Sequence, residues 1–292
     1  MTVPITQESF MAFLKCQRKS RLLSEGAIGA QAEFCEWQRR SEDNYKELAS
    51  ARLCSSIPPN ERYVGTPPAE PLRERRYRLI FDYAVGESDV HARLHALEVD
   101  CSQDRARHHC YIPIRFVPKE KVTASDKLML AFDALALSRA TSELPAVGKI
   151  VHGRQCSAVR LPLHKFIRRV QSLVEKIVAQ HAERATPPAM LNKHCTECQF
   201  QSMCRQIACE KDDLSLLATI SDKERKKFHE KGIFTVTQLS YTFRPRRRST
   251  PGVTKHFPAL KALAIREGKI VCATTSARFG PHSQRGACAF VE

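Results

Sequence analysis

The stretch HCTECQFQSMCR, residues 194–205, sets Cys195 and Cys198 two residues apart and Cys204 five further on. Thiolates at that spacing are soft ligands for zinc or for an iron–sulfur cluster, and a tetrahedral centre needs four of them. Two residues compete for the fourth place. His194 is adjacent to Cys195 and would complete an ordinary three-cysteine, one-histidine zinc site, although neighbouring residues seldom both ligate one ion. Cys16, in FLKCQRKSRLL, is remote in sequence, and an iron–sulfur cluster accepts a distant ligand when the fold supplies the proximity. The other eight cysteines (35, 54, 101, 110, 156, 209, 272 and 288) are scattered and read as isolated thiols.

Composition limits the partners. The 292-residue chain carries 47 Lys and Arg against 31 Asp and Glu, a formal charge of +16, which favours a polyanion, nucleic acid first and an acidic membrane surface second. No basic segment followed by an apolar run opens the chain, and no uncharged stretch is long enough to cross a bilayer, so it reads as soluble and cytoplasmic. Twelve cysteines in such a chain suggest metal or redox chemistry more than disulfides.

The elements that must hold these residues follow from periodicity. Phe10, Phe13, Leu14 and Leu22 mark one opening helix containing Cys16. After Cys54, SSIPPNERYVGTPPAEPLRERR reads as a loop or lid. RYRLIFDYAV, VHARLHALEV and CYIPIRFV read as strands, with a turn at Gly86, Glu87 and Ser88. A helix over 125–140 capped by Ser125, two strands around GKIVHG and CSAVRL, and a helix over 161–183 complete an α/β order. In that last helix Lys165, Arg168, Arg169 and Lys176 fall off the apolar stripe and read as a solvated face.

Beyond the cysteines, Ser221 with Glu224 and Thr235 with Gln238 give two capping-box starts separated by Gly232. This resembles a helix-hairpin-helix, whose turn and second-helix amides, here around Gly232 and Thr235, can hold a DNA phosphate without reading bases. Arg244, Arg246, Arg247 and Arg248 in FRPRRRSTPG add a compact cationic segment beside it.

FLKCQRKSRLL together with NKHCTECQFQSMCRQIACEKDDLSLL resembles the RecB-like nucleases that staple their two ends with a four-iron cluster, among them AddB-type recombination nucleases and CRISPR-associated exonucleases. A bacterial group of RecB-family nucleases also carries a stretch like GIFTVTQLSYTFRPRR, followed by an RNase H-like exonuclease domain. The likeness runs to about residue 270. It implies a restriction-endonuclease-like PD-(D/E)XK core with a C-terminal helical hairpin appendage: a nuclease-fold domain at 1–212, a helical segment with the basic stretch at 213–270, and a tail at 271–292 where a further domain is cut short. It also implies a 4Fe–4S cluster on Cys16, Cys195, Cys198 and Cys204.

Nucleases of this fold cleave a phosphodiester with Mg²⁺ or Mn²⁺ held by acidic residues on adjacent strands, with a lysine nearby. The family's first Asp begins a DALE-like strand; this chain reads HALE, with His95 in that place. The Tyr-x-Pro element is matched by Tyr111 and Pro113, but Arg115 and Val117 stand where the acid and the lysine belong. Glu98 and Asp100 remain nearby, as do Lys119 and Lys121; Glu98 is the candidate catalytic remnant, but three residues of extended strand from His95 place it on the opposite face, where it reads as an exposed acid at a strand end. The expectation is therefore a DNA repair or recombination protein of nuclease fold whose metal-ligand positions are replaced, which leaves hydrolysis open, the divalent ion being bound only if the site is active. It contacts DNA through the backbone with little sequence preference and does not engage membranes; a helicase or RNase H-like protein is a further partner the likeness allows. The alternatives are a non-catalytic DNA-binding module or a decayed gene product, with a zinc-stabilised RNA-binding protein third.

Overall fold

A computed structural model describes residues 3–30, 33–66, 77–87, 89–100, 110–183, 186–217, 220–243 and 257–269. Arg244, Arg246, Arg247, Arg248 and the tail at 271–292 lie outside the described residues. The chain divides into two compact units, residues 1–187 and 188–292, so the three-cysteine stretch falls in the second.

The first unit is a mixed sheet between helices. Strands β1 (Ile5–Thr6), β2 (Arg62–Val64), β3 (Leu79–Glu87), β4 (Val90–Asp100), β5 (Cys110–Val117), β6 (Val147–His152) and β7 (Ser157–Pro162) form one sheet, ordered β2-β3-β4-β5-β6-β7 with β1 beside the start of β4. Strands β3, β4 and β5 run antiparallel, and β6 lies parallel to β5. A parallel pair needs a crossover, and helix α4 (Ala124–Thr141) supplies it. Leu128 to Leu137 of α4 are buried on every side, as befits a helix enclosed in a core. Its cap is Thr123, in a capping box with Asp126, two residues earlier than the expected Ser125.

The opening helix is two. Helix α1 (Gln7–Lys15) stops and α2 (Gln17–Ser24) starts at Cys16, whose backbone is extended (φ −163°, ψ 117°), while Ser20 Oγ donates to Ser9 O at 2.8 Å and locks the bend. Periodicity alone reads through such a break, because Phe10, Phe13 and Leu14 keep helical spacing up to it. Helix α3 (Glu33–Cys54), α5 (His164–Ala182) and strands β1 and β2 complete the unit; α3 went unrecognised in the sequence because its apolar residues are few and its stripe weak.

Two apolar clusters divide the sheet's faces. One gathers α1, α4 and α5 over Ile80, Tyr83, Val85, Leu94, Leu97 and Val99. The other gathers Tyr45 and Ala49 of α3 over Leu79, Phe81, Ala96, Ile114, Phe116 and Val151.

The second unit holds a 3₁₀ turn at Cys195–Glu197, then α6 (Gln201–Glu210), α7 (Asp222–Glu230), α8 (Val236–Ser240) and α9 (Phe257–Glu267). Leu214, Leu217, Val236, Leu239, Ala259 and Ala262 form its small core. Both expected capping boxes are present, Ser221 with Glu224 and Thr235 with Gln238. Among the described residues no helix is long and apolar enough to cross a membrane.

Candidate functional site

Strands alternate their side chains between faces, and β3 and β4 both break that alternation at one place. In β3, Phe81 belongs to the α3 face and Tyr83 to the α4 face; in β4, Leu94 faces α4 and Ala96 faces α3. The register sets Phe81 opposite Ala96 and Tyr83 opposite Leu94, so the break lies where Asp82 meets His95. Asp82 takes a left-handed backbone there (φ 53°), a conformation that costs a non-glycine residue about 1–3 kcal/mol and persists only where neighbours hold it. Lys46 of α3 forms an ion pair with its carboxylate, and Arg93 Nε lies 3.7 Å from it.

This reversal decides where the expected nuclease positions go. The His95 ring lies beside Phe116 on the α3 face, centroids 5.4 Å apart, and His95 Nδ1 accepts the Phe116 backbone N–H at 3.0 Å. Burial, with Arg115 and Lys46 nearby, lowers its pKa to about 3, so the ring is neutral at physiological pH. With Nδ1 accepting, the proton sits on Nε2, and neither nitrogen offers a lone pair to a metal.

Arg115 goes to the other face. Its neighbour in register is Ile150 of the α4-side core, and its guanidinium meets Asp133 Oδ2 of α4 at 2.9 Å. Asp133 is 1% exposed, and Gln7 Nε2 donates to its other oxygen at 2.5 Å while Gln7 Oε1 accepts from Arg93 N at 3.1 Å. Burial raises the Asp133 pKa, against the opposing pull of Arg115 and Gln7. Val117 is also in the α4-side core. Positions 95, 115 and 117, expected to act as one group, are therefore split by the sheet.

Glu98 corrects the expectation taken from simple alternation. Because the pleat reverses between His95 and Ala96, Glu98 shares the α3 face with His95, beside Leu79 in register, and forms an ion pair with Lys149 of β6. It is a partnered side chain rather than a free acid at a strand end.

In the second unit, Cys195 opens the 3₁₀ turn, Cys198 closes it and Cys204 lies in α6. All three are half-exposed cysteines outside any disulfide, and Cys195 Sγ accepts the Asn192 N–H at 3.2 Å. Amide donation to sulfur stabilises a thiolate, so the donor chemistry suits a thiolate-held group. Cys16 is likewise outside any disulfide, at the α1–α2 bend of the first unit. Among the described residues no set of three or more Cys, His, Asp or Glu is gathered ready to hold a metal ion. The His194 backbone N–H donates to Asn192 Oδ1 at 2.8 Å as the turn begins.

Around Gly232 (φ 75°) the hairpin's amides are already taken. Gly232 and Ile233 donate to His229 O and Phe228 O, Phe234 and Thr235 to Gln238 Oε1, Val236 to Asp212 O and Thr237 to Asp212 Oδ2 at 2.8 Å. A phosphate bound by these amides would have to displace Asp212 or Gln238, and α8 is five residues long. The Asp212 contribution was not visible in sequence, since it reaches across from the residue after α6.

No family model and no curated protein matches the chain. Among solved structures it is similar to the crystal structure of SSO0001, with 14% identity and a TM-score of 0.38 over 70% of this chain and 87% of that one, too distant a likeness to carry function.

Proposed function

We propose that the protein is a RecB-like, restriction-endonuclease-fold DNA-binding protein that does not hydrolyse DNA. The observation carrying this reading is the fate of the three positions where such a nuclease holds its metal and activates water. His95 spends its acceptor nitrogen on the Phe116 amide, Arg115 neutralises a buried Asp133, and Val117 is core. A hard divalent ion needs oxygen ligands converging from one side, and these residues offer it none. The α1–β3–β4–β5–α4–β6 order, with the antiparallel trio followed by a right-sized crossover helix, supports the nuclease-like core. The charge of +16 supports a polyanionic partner.

On the same reading Cys16, Cys195, Cys198 and Cys204 hold a 4Fe–4S cluster. Bound there, a cluster supplies a covalent tie between the α1–α2 bend and the 3₁₀ turn, closing a very long loop. The amide donated to Cys195 Sγ is compatible with it. Iron and acid-labile sulfide measured on anaerobically purified protein test the staple: Cys16→Ser and Cys198→Ser should each lose the cluster and lower the melting temperature to a similar degree. Full iron retention by Cys16→Ser removes it as the fourth ligand, and stoichiometric zinc in place of iron removes the cluster.

A further inference from the structure

The outer face of α5 is built against local helix rules. Lys165, Arg168, Arg169 and Lys176 are exposed along it, and none has an ion-pair partner among the described residues. Lys165 stands three and four residues before Arg168 and Arg169, spacings at which like charges destabilise a helix. The α5 first turn has no acidic residue and its start has no side-chain cap, whereas α4 and α7 open with capping boxes and acids. Cations near that end also oppose the helix dipole. A helix held by tertiary packing can carry these costs, and Ile167, Val170, Val174 and Ile177 bury its other side. Stability given up locally without a structural return is a mark of function.

Resting on the proposed function, we infer that this face is the first unit's contact surface for a nucleic-acid backbone. The four cations span twelve residues, roughly 16 Å of helix from first to last, opposite which duplex DNA presents about ten phosphate charges. Exposed residues among them are polar, Gln171, Ser172 and Glu175. An interfacial membrane helix needs exposed apolar flanks beside its charges. On α5 the apolar residues face the core, with Val178 at 37% the only large apolar side chain exposed on that helix. A contact made by charge alone, without base-edge donors, fits phosphates.

The test uses the full chain with 30-base-pair duplexes of unrelated sequence, binding being followed by anisotropy between 50 and 200 mM salt. Lys165→Gln, Arg168→Gln, Arg169→Gln and Lys176→Gln combined should make the log–log salt slope shallower by about three to four and weaken binding at 50 mM salt at least tenfold, on about 0.9 of a unit per phosphate contact. Arg168→Gln with Arg169→Gln should remove about half as much, with the melting temperature of both variants near that of the parent. A slope unchanged in both variants overturns the α5 surface, and does so while leaving the proposed function standing if Arg246→Ala, Arg247→Ala and Arg248→Ala together flatten it. A parent chain that binds no duplex overturns the DNA-binding reading itself. Binding to phosphatidylserine vesicles that α5 substitution abolishes, with duplex binding intact, assigns the face to a membrane and overturns the inference.

Discussion

The two faces of the central sheet handle charge in opposite ways. Under α4, Asp133 is sealed in the core and answered by Arg115 and Gln7, three elements tied through one carboxylate. Under α3, the pairs Lys46–Asp82 and Glu98–Lys149 are partly solvated, and His95 is kept neutral by burial, with Arg115 and Lys46 nearby, while its Nδ1 accepts the Phe116 amide. Both faces border the positions where, on the proposed function, a nuclease would hold its metal. The α4 side uses its buried charge to join helix and strand, and the α3 side pairs Lys46 with Asp82 and Lys149 with Glu98.

The largest expected effect breaks the α4 side. Arg115→Met leaves a buried carboxylate with Gln7 as its remaining partner and should cost about 3–5 kcal/mol, whereas replacing both members, Arg115→Met with Asp133→Leu, should recover most of the loss. Urea unfolding of the two variants separates these outcomes. A cost below about 1 kcal/mol for Arg115→Met would show that Asp133 is hydrated.

The second contrast is in pH. His95 has a folded pKa of about 3 against 6.5 unfolded, so below pH 6.5 the unfolded chain takes up a proton that the native one refuses. Its stability contribution is complete above pH 6.5 and is lost as pH falls toward 3, at up to about 1.4 kcal/mol per pH unit. Asp133 runs the other way: with its folded pKa raised above 3.8, its contribution is complete below the unfolded value and is lost as pH rises through the folded one. Above pH 3.8, where Asp133 begins to lose its contribution while His95 is still gaining its own, the two oppose each other. His95→Gln should flatten the acid-side loss of stability in denaturant titrations at a series of pH values. An unchanged profile would mean that the ring is protonated in the native state.

The smallest effect is on the α3-side pair. Glu98→Gln should cost no more than about 1 kcal/mol, because Glu98 and Lys149 are both partly exposed. A loss several times larger would place the pair among the structural elements, as on the α4 side.

Much of the scaffold was legible because it obeys local rules. The three antiparallel strands, the α4 and α5 helices and both capping boxes followed from alternation, helical spacing and Ser/Thr-x-x-Glu/Gln signals. What escaped were breaks imposed by tertiary contacts. Cys16 interrupts a helix whose apolar spacing is unbroken, and Asp82 reverses a pleat with nothing in FDYAV to announce a positive φ. That second break carried the largest consequence, since counting residues from His95 put Glu98 on the wrong face. The His95 and Arg115 substitutions could be read in the sequence against a family pattern, but their partners, the Phe116 amide and Asp133, could not. Those partners lie 21 and 18 residues away and meet only in the folded chain.

The central claim is a nuclease-like fold that binds DNA and leaves it uncut. It is tested most directly by incubating the purified full chain with labelled single- and double-stranded DNA in Mg²⁺ and in Mn²⁺, while binding is measured on the same preparation. The account predicts saturable binding with intact substrate, and no gain of cleavage in His95→Asp, since Arg115 and Val117 lie on the other face. Metal-dependent cleavage by the unaltered protein, abolished by EDTA and by Glu98→Ala, would contradict it and place a working carboxylate on the α3 face.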